Sequence, residues 1–161
     1  MTTTRSLALV IITFVLFTGC ASKYRADESL VSAFQAHKAE FNTLLEMFRN
    51  DKGLVYFSRG YTLPENAQSV GVSQERLEQY QRLFSALGLD GMAAADRQTG
   101  SRDEVWFFTS IAGTRPSTFK HYAHVSRPTK GVIQDLDKEG SKANPYRHVE
   151  GNWYLVLDDA D

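Results

Sequence analysis

Between Asp27 and Arg49, Leu30, Val31, Phe34, Phe41, Leu44, Leu45 and Phe48 recur at helical steps, with His37 on the same stripe. That spacing lines one face of a helix of about six turns, with Asp27, Glu28 and Ser29 suited to its start and Asn50-Asp51-Lys52-Gly53 to its end. A second helix is predicted after Ser73, an N-cap residue, with Glu75 in the first turn and Leu77, Tyr80, Leu83, Phe84 and Leu87 along one face. Gly88 then stands where a left-handed residue closes a helix. Leu54–Ser58 lies between the two helices as a short strand candidate. Beyond Gly88 the period changes. Glu104–Ile111, Thr118–Val125, Gly131–Leu136, Tyr146–Glu150 and Asn152–Leu157 are rich in aromatic and β-branched residues, and Gly151-Asn152 suits a tight hairpin turn.

The element order α-β-α-β-β-β-β-β predicts an α+β domain with an antiparallel sheet of five to six strands and two main helices segregated against it. Two segments, Gly60–Val72 and Leu89–Asp103, read as long loops. One pattern stands out within the strands. Glu104–Ile111 puts Val105, Phe107, Thr109 and Ile111 on one face and Trp106, Phe108 and Ser110 on the other, so both faces carry large apolar groups. A sheet washed by water on one side alternates apolar with polar. Cover for the central strands within the domain is the expected solution, with a partner on the aromatic face as the alternative.

The first twenty residues follow another rule. Arg5 is the one charge before Cys20, and Leu7–Phe17 is apolar except for Thr13. Eleven residues of helix span only ~16 Å, short of the ~30 Å hydrocarbon core, which suits the apolar region of a signal peptide. Small residues precede the cysteine in Phe17-Thr18-Gly19-Cys20. This resembles the lipobox of bacterial lipoproteins, although Phe17 stands where that family prefers leucine. The resemblance implies removal of residues 1–19, a diacylglycerol thioether on Cys20 and an acylated amine there. Acyl chains at ~0.8 kcal/mol per buried CH₂ give a lasting membrane anchor. Ala21 and Ser22, in place of the aspartate associated with inner-membrane retention, imply the outer membrane and its periplasmic face. Residues 20–28 then form the lipidated cysteine and a short tether, and 29–161 one domain. The phrases Ser73–Leu87, Phe119–Val125 and Tyr146–Leu155 are also similar to a group of small bacterial envelope lipoproteins, a likeness that supplies location and no activity.

Charge and chemistry narrow the rest. Eighteen basic against nineteen acidic side chains give a formal net charge of −1, without the footprint of a nucleic-acid binder. One cysteine excludes a disulfide scaffold. No nucleotide-phosphate loop or H-E-x-x-H pair is present, so no cofactor and no metal site are expected. His121 and His124 lie three apart on a strand, pointing to opposite faces. His37 is expected at the core edge, and His148 in a cross-strand pair. Asp135-Leu-Asp137-Lys-Glu139-Gly140 opens like a calcium loop, but Tyr146 stands where the bidentate glutamate belongs. The segment Arg115–Lys130 holds four basic residues and no acidic one. Arg115, Lys120, Tyr122, His124 and Arg127 are therefore the candidate contacts for an anionic or protein partner, with a solvated basic edge as the plainer reading. The functional expectation is a non-enzymatic accessory or interaction protein of the envelope, of assembly or immunity type. A small-ligand or wall-fragment binding module, or a hydrolase of another type, are the alternatives.

Overall fold

The aromatic and β-branched segments become the centre of a single sheet, and the helices among the described residues lie on one side of it. The structure is a computed structural model, and it describes residues 25–96, 101–109, 118–128, 131–139 and 145–159. The α+β class holds, with more elements than the periodicity predicts. Helices α1 (Asp27–Ala36) and α2 (Lys38–Asn50) come first, then strands β1 (Tyr56–Ser58) and β2 (Tyr61–Leu63), a 3-10 turn at Ala67–Val70, and α3 (Gln74–Leu87). Strands β3 (Leu89–Asp96), β4 (Ser101–Thr109), β5 (Thr118–Val125) and β6 (Val132–Ile133) follow, then a one-turn helix α4 (Leu136–Glu139), β7 (Tyr146–Glu150) and β8 (Trp153–Asp159). Among the described residues the eight strands are ordered β2-β1-β3-β4-β5-β8-β7-β6. All neighbours are antiparallel except β6 and β7, so the sheet is mixed. No helix among the described residues is long and apolar enough to cross a membrane.

Four expectations are corrected. The single helix over Asp27–Arg49 is two, because His37 (φ −124°, ψ 25°) leaves helical geometry. In a straight helix residues seven apart lie ~10.5 Å along the axis. The break brings the Phe34 and Phe41 rings to 5.2 Å, so both fill the same part of the core. Leu89–Asp103, instead of a loop, supplies β3 and the start of β4. Gly60–Val72 contains β2 and the 3-10 turn. Gly131–Leu136 is only partly strand, two residues of it pairing in parallel with β7. The helix after Ser73 matches its prediction. Ser73 accepts a hydrogen bond from the Arg76 N–H at 3.2 Å, and Gly88 closes the helix at φ 64°. The Gly151-Asn152 turn is also in place, with Gly151 at φ 56°.

Register explains the core. Phe57, Met92, Phe107, Tyr122 and Leu155 face one another across five strands, and Arg147 on β7 ends the row. The helices cover this face. Phe41 lies within 4.7–6.3 Å of the rings of Phe34, Phe107, Tyr122 and Trp153, while Phe57 meets Tyr80 and Phe84 of α3. The opposite face carries the row Tyr56, Ala93, Trp106, Ala123, Tyr154 and His148.

Gly91 marks the tightest strand contact. A Cβ built there would stand 2.8 Å from the Phe57 carbonyl oxygen, a backbone atom that cannot move without β1. Gly91→Ala is expected to destabilise the domain by about 1–3 kcal/mol, the usual penalty of overpacking. Urea unfolding checks it, and an unchanged midpoint would show that β1 gives way freely.

Candidate functional site

Helix α1 begins without a capping side chain of its own, since Ala26 occupies the N-cap position. The Asp27 N–H instead donates to Asp137 Oδ2 at 2.9 Å, so a carboxylate distant in sequence caps the helix where its dipole favours negative charge. The Asp27 side chain points inward and is 1% exposed. Its Oδ2 accepts from the Leu136 N–H at 2.7 Å and from Arg147 Nη1 at 3.0 Å, and its Oδ1 pairs with Lys120 Nζ at 2.5 Å. Lys120 also pairs with Asp137. Arg147 reaches Glu28 through Nη2 at 2.6 Å. One helical residue thereby joins β5, α4 and β7.

This arrangement corrects the exposed basic face. Lys120, Tyr122 and His124 do share one face of β5, as alternation requires, but it is the face under the helices. Lys120 is 1% exposed, and Tyr122 and His124 are buried as well. The Tyr122 hydroxyl donates to the Leu30 carbonyl at 2.8 Å, and burial pushes its pKa up to about 12. Arg127 is exposed just beyond β5. Arg115 and Cys20 lie outside the described residues.

Asp135, Asp137 and Asp27 bring carboxylate oxygens within 4.8 Å of one another, and among the described residues theirs is the cluster with the composition of a cation site. Lys120 and Arg147 already supply positive charge to Asp27 and Asp137. Asp135 is engaged elsewhere. Its Oδ1 accepts from the N–H groups of Asp137 and Lys138 at 2.9 and 3.1 Å, capping α4. The calcium-like spacing is thus used as a helix start. At Asp137 burial pushes the pKa up, but hydrogen bonds from Lys120 and the Asp27 N–H, together with the Lys120 charge, leave it below the ordinary value.

The histidines separate as strand geometry demands. His121 sits on the outer face, its ring 4.8 Å from Trp106 and 5.6 Å from Phe108. His124 faces inward, where Nδ1 meets Arg49 Nη2 at 3.2 Å and the ring packs edge-on against Trp153. His148 pairs across strands with Tyr154, ring centres 5.3 Å apart. His37, off the helix axis, is half-buried beside Glu40. Desolvation of His124, reinforced by Arg49, lowers its pKa from 6.5, with Glu46 opposing. A buried histidine held neutral contributes stability that is complete above its unfolded value and declines as pH falls below it. Stability is therefore expected to drop as pH falls below about 6.5, by less than ~1.4 kcal/mol per pH unit for one proton. In His124→Asn that part of the profile should flatten, and an unaltered slope would assign it to another group.

Two further features need a separate account. Ser117-Thr118-Phe119-Lys120 has the S-x-x-K spacing of some serine nucleophiles. Ser117 lies outside the described residues, and Lys120 Nζ is paired with the carboxylates of Asp27 and Asp137. Asp51 ties α2 to α3 through Arg76 Nε at 2.9 Å and the Tyr80 hydroxyl at 2.6 Å. Its position at a helix end is legible in the chain; its partners, 25 and 29 residues on, are not.

The outer sheet face is the remaining candidate surface, although Ala123, Val125, Tyr146 and Val156 form a small buried cluster on it and His121 is buried there as well. Tyr56, Trp106, Phe108 and Tyr154 are half-buried on it, and Tyr61 is 51% exposed at its edge. Glu104 organises one end, accepting from Trp106 Nε1 at 2.7 Å and from the Tyr146 hydroxyl. Compared with known families, curated proteins and solved structures, the chain matches none.

Proposed function

We propose that this chain is an acyl-anchored envelope protein, attached through Cys20 on the periplasmic face of the outer membrane, and that it acts as a non-catalytic interaction module. The placement rests on the lipobox-like Phe17–Cys20 sequence. The interaction reading is carried by one observation, the aromatic row on the sheet face opposite α1, α2 and α3. Tyr56, Trp106 and Tyr154 stand on alternate strands there, separated by Ala93 and Ala123. Aromatic rings supply large contact area at little conformational cost, which suits a face that meets a protein. On the other side Lys120, Tyr122 and His124 are engaged with Asp27, Asp137, the α1 backbone and Arg49.

Two measurements test the proposal. Mass spectrometry of the mature protein should find the acyl mass on Cys20, and Cys20→Ser should release the chain from the membrane. A photo-crosslinking residue in place of Trp106 should join a specific envelope protein in intact cells, whereas one at Gln81, on the exposed side of α3, should not. Acylation without any Trp106-specific crosslink would remove the protein-partner reading. The row also favours a second reading. Rings on strands two apart, ~9.6 Å, with Ala93 and Ala123 buried between them, suit stacking on alternate sugar rings of a wall glycan. Co-sedimentation with purified cell-wall sacculi that is lost in Trp106→Ala would select it.

A further inference from the structure

The Asp27 cluster has a second consequence, which rests on the Cys20 attachment proposed above. The first turn of a helix ordinarily frays, and a chain entering it from a flexible tether swings. Here the first helical residue is fixed on four sides: by Lys120, by Arg147, by the Leu136 N–H, and through its own N–H by Asp137. The tether therefore ends at Asp27 and cannot lengthen by unwinding α1 while those bonds hold. Seven Cα–Cα steps separate Cys20 from Asp27, at most ~25 Å. Helices α1 and α2 then carry the chain to Arg49, which meets His124 four residues along β5 from Lys120.

We propose that the corner around Asp27, built from the first turn of α1, α4 and the β6–β7 edge, is the surface that faces the lipid leaflet, and that the Asp27–Lys120–Arg147 cluster positions it there. The chemistry of the corner suits a bilayer interface. Val132 is 52% exposed beside β7, and Lys138 on α4, paired with Asp135 at 2.9 Å, is 82% exposed, with a long stem that can lie on apolar surface while the ion pair stays at the headgroups. Glu28, Asp135 and Asp137 offset the local basic charge, so attachment to the leaflet comes from the acyl tether and not from anionic lipid.

Amine footprinting on vesicles tests this. The acylated protein is reconstituted into vesicles of neutral phosphatidylcholine, and acetylation rates of Lys138 and of Lys52, the exposed lysine beyond α2, are each compared with those of the same protein in detergent-free solution after Cys20→Ser. Lys138 should slow several-fold on vesicles, and Lys52 should not change. In Asp27→Asn and in Arg147→Lys, both checked for folding by near-ultraviolet circular dichroism, the contrast between the two lysines should shrink. Equal protection of the two lysines, stronger protection of Lys52, or an undiminished contrast in both folded variants overturns the proposal. A parallel sample with the Cys20 thiol joined to a maleimide lipid in vitro separates the questions: it reports orientation whether or not the cell acylates Cys20, which the native mass decides.

Discussion

Lys120→Met is expected to destabilise the domain by about 3 kcal/mol, the lower part of the range for breaking a buried ion pair. The cost comes less from losing an attraction than from what is left behind. Asp27 remains buried with Arg147 and the Leu136 N–H, while the Oδ1 that faced Lys120 loses its cation. Asp137 is one-third exposed and recovers part of its hydration, which keeps the figure from the upper end. For a domain of this size a loss of that order lowers Tm by roughly 10 °C. The pH profile gives an independent check. Because the folded pKa of Asp137 lies below its ordinary 3.8, its contribution is complete above that value and is lost as pH falls through the folded one. The gap between wild type and Lys120→Met should therefore narrow below about pH 4. Asp137→Asn in the Lys120→Met background should add little, since the cycle removes an interaction already gone. A Lys120→Met protein within about 1 kcal/mol of wild type, on the scale of an exposed pair, would show that water reaches the cluster.

The same residue shows where local sequence stops being informative. Alternation correctly puts Lys120, Tyr122 and His124 on one face of β5, but a lysine and a histidine on a strand point, by their chemistry alone, to solvent. Which face is outward depends on the helices, and the carboxylates that make burial tolerable come from α1 and α4, far off in the chain. Pairing of that kind leaves no local signal. Helix α3 is legible because both its ends are written locally, in Ser73 and Gly88. The His37 break is not, because no proline or glycine announces it. Strand β3 is hidden for a different reason: Gly91, Ala93, Ala94 and Ala95 have little intrinsic β preference. Small size is what the position demands, since Ala93 lies between Tyr56 and Trp106 in the cross-strand row and Gly91 lies against the β1 backbone. The doubly apolar strands do signal that the second face is not an ordinary wet surface. That signal leads to the aromatic row, whereas the charge pattern leads to side chains that are buried.

Phe41→Ala should have an effect as large, about 3–5 kcal/mol, the range for removing a buried aromatic ring. Phe41 is 1% exposed and touches one ring on α1 and rings on β4, β5 and β8. Those neighbours cannot close the space by small movements. Tyr122 is held by its hydroxyl on the Leu30 carbonyl, and Trp153 by its Nε1 on Asn42 Oδ1 at 3.2 Å. Phe34 is fixed on α1, whose first residue is tied to the charge cluster. A site that cannot collapse retains its cavity, and the penalty moves toward the upper end of the range. Phe41→Leu keeps most of the volume and should cost clearly less, so the difference between the two variants measures the cavity and not hydrophobic transfer alone. Equal urea midpoints for Ala and Leu would mean that the helices settle onto the sheet, and the convergence of Phe34 and Phe41 produced by the His37 break would then lose its energetic significance.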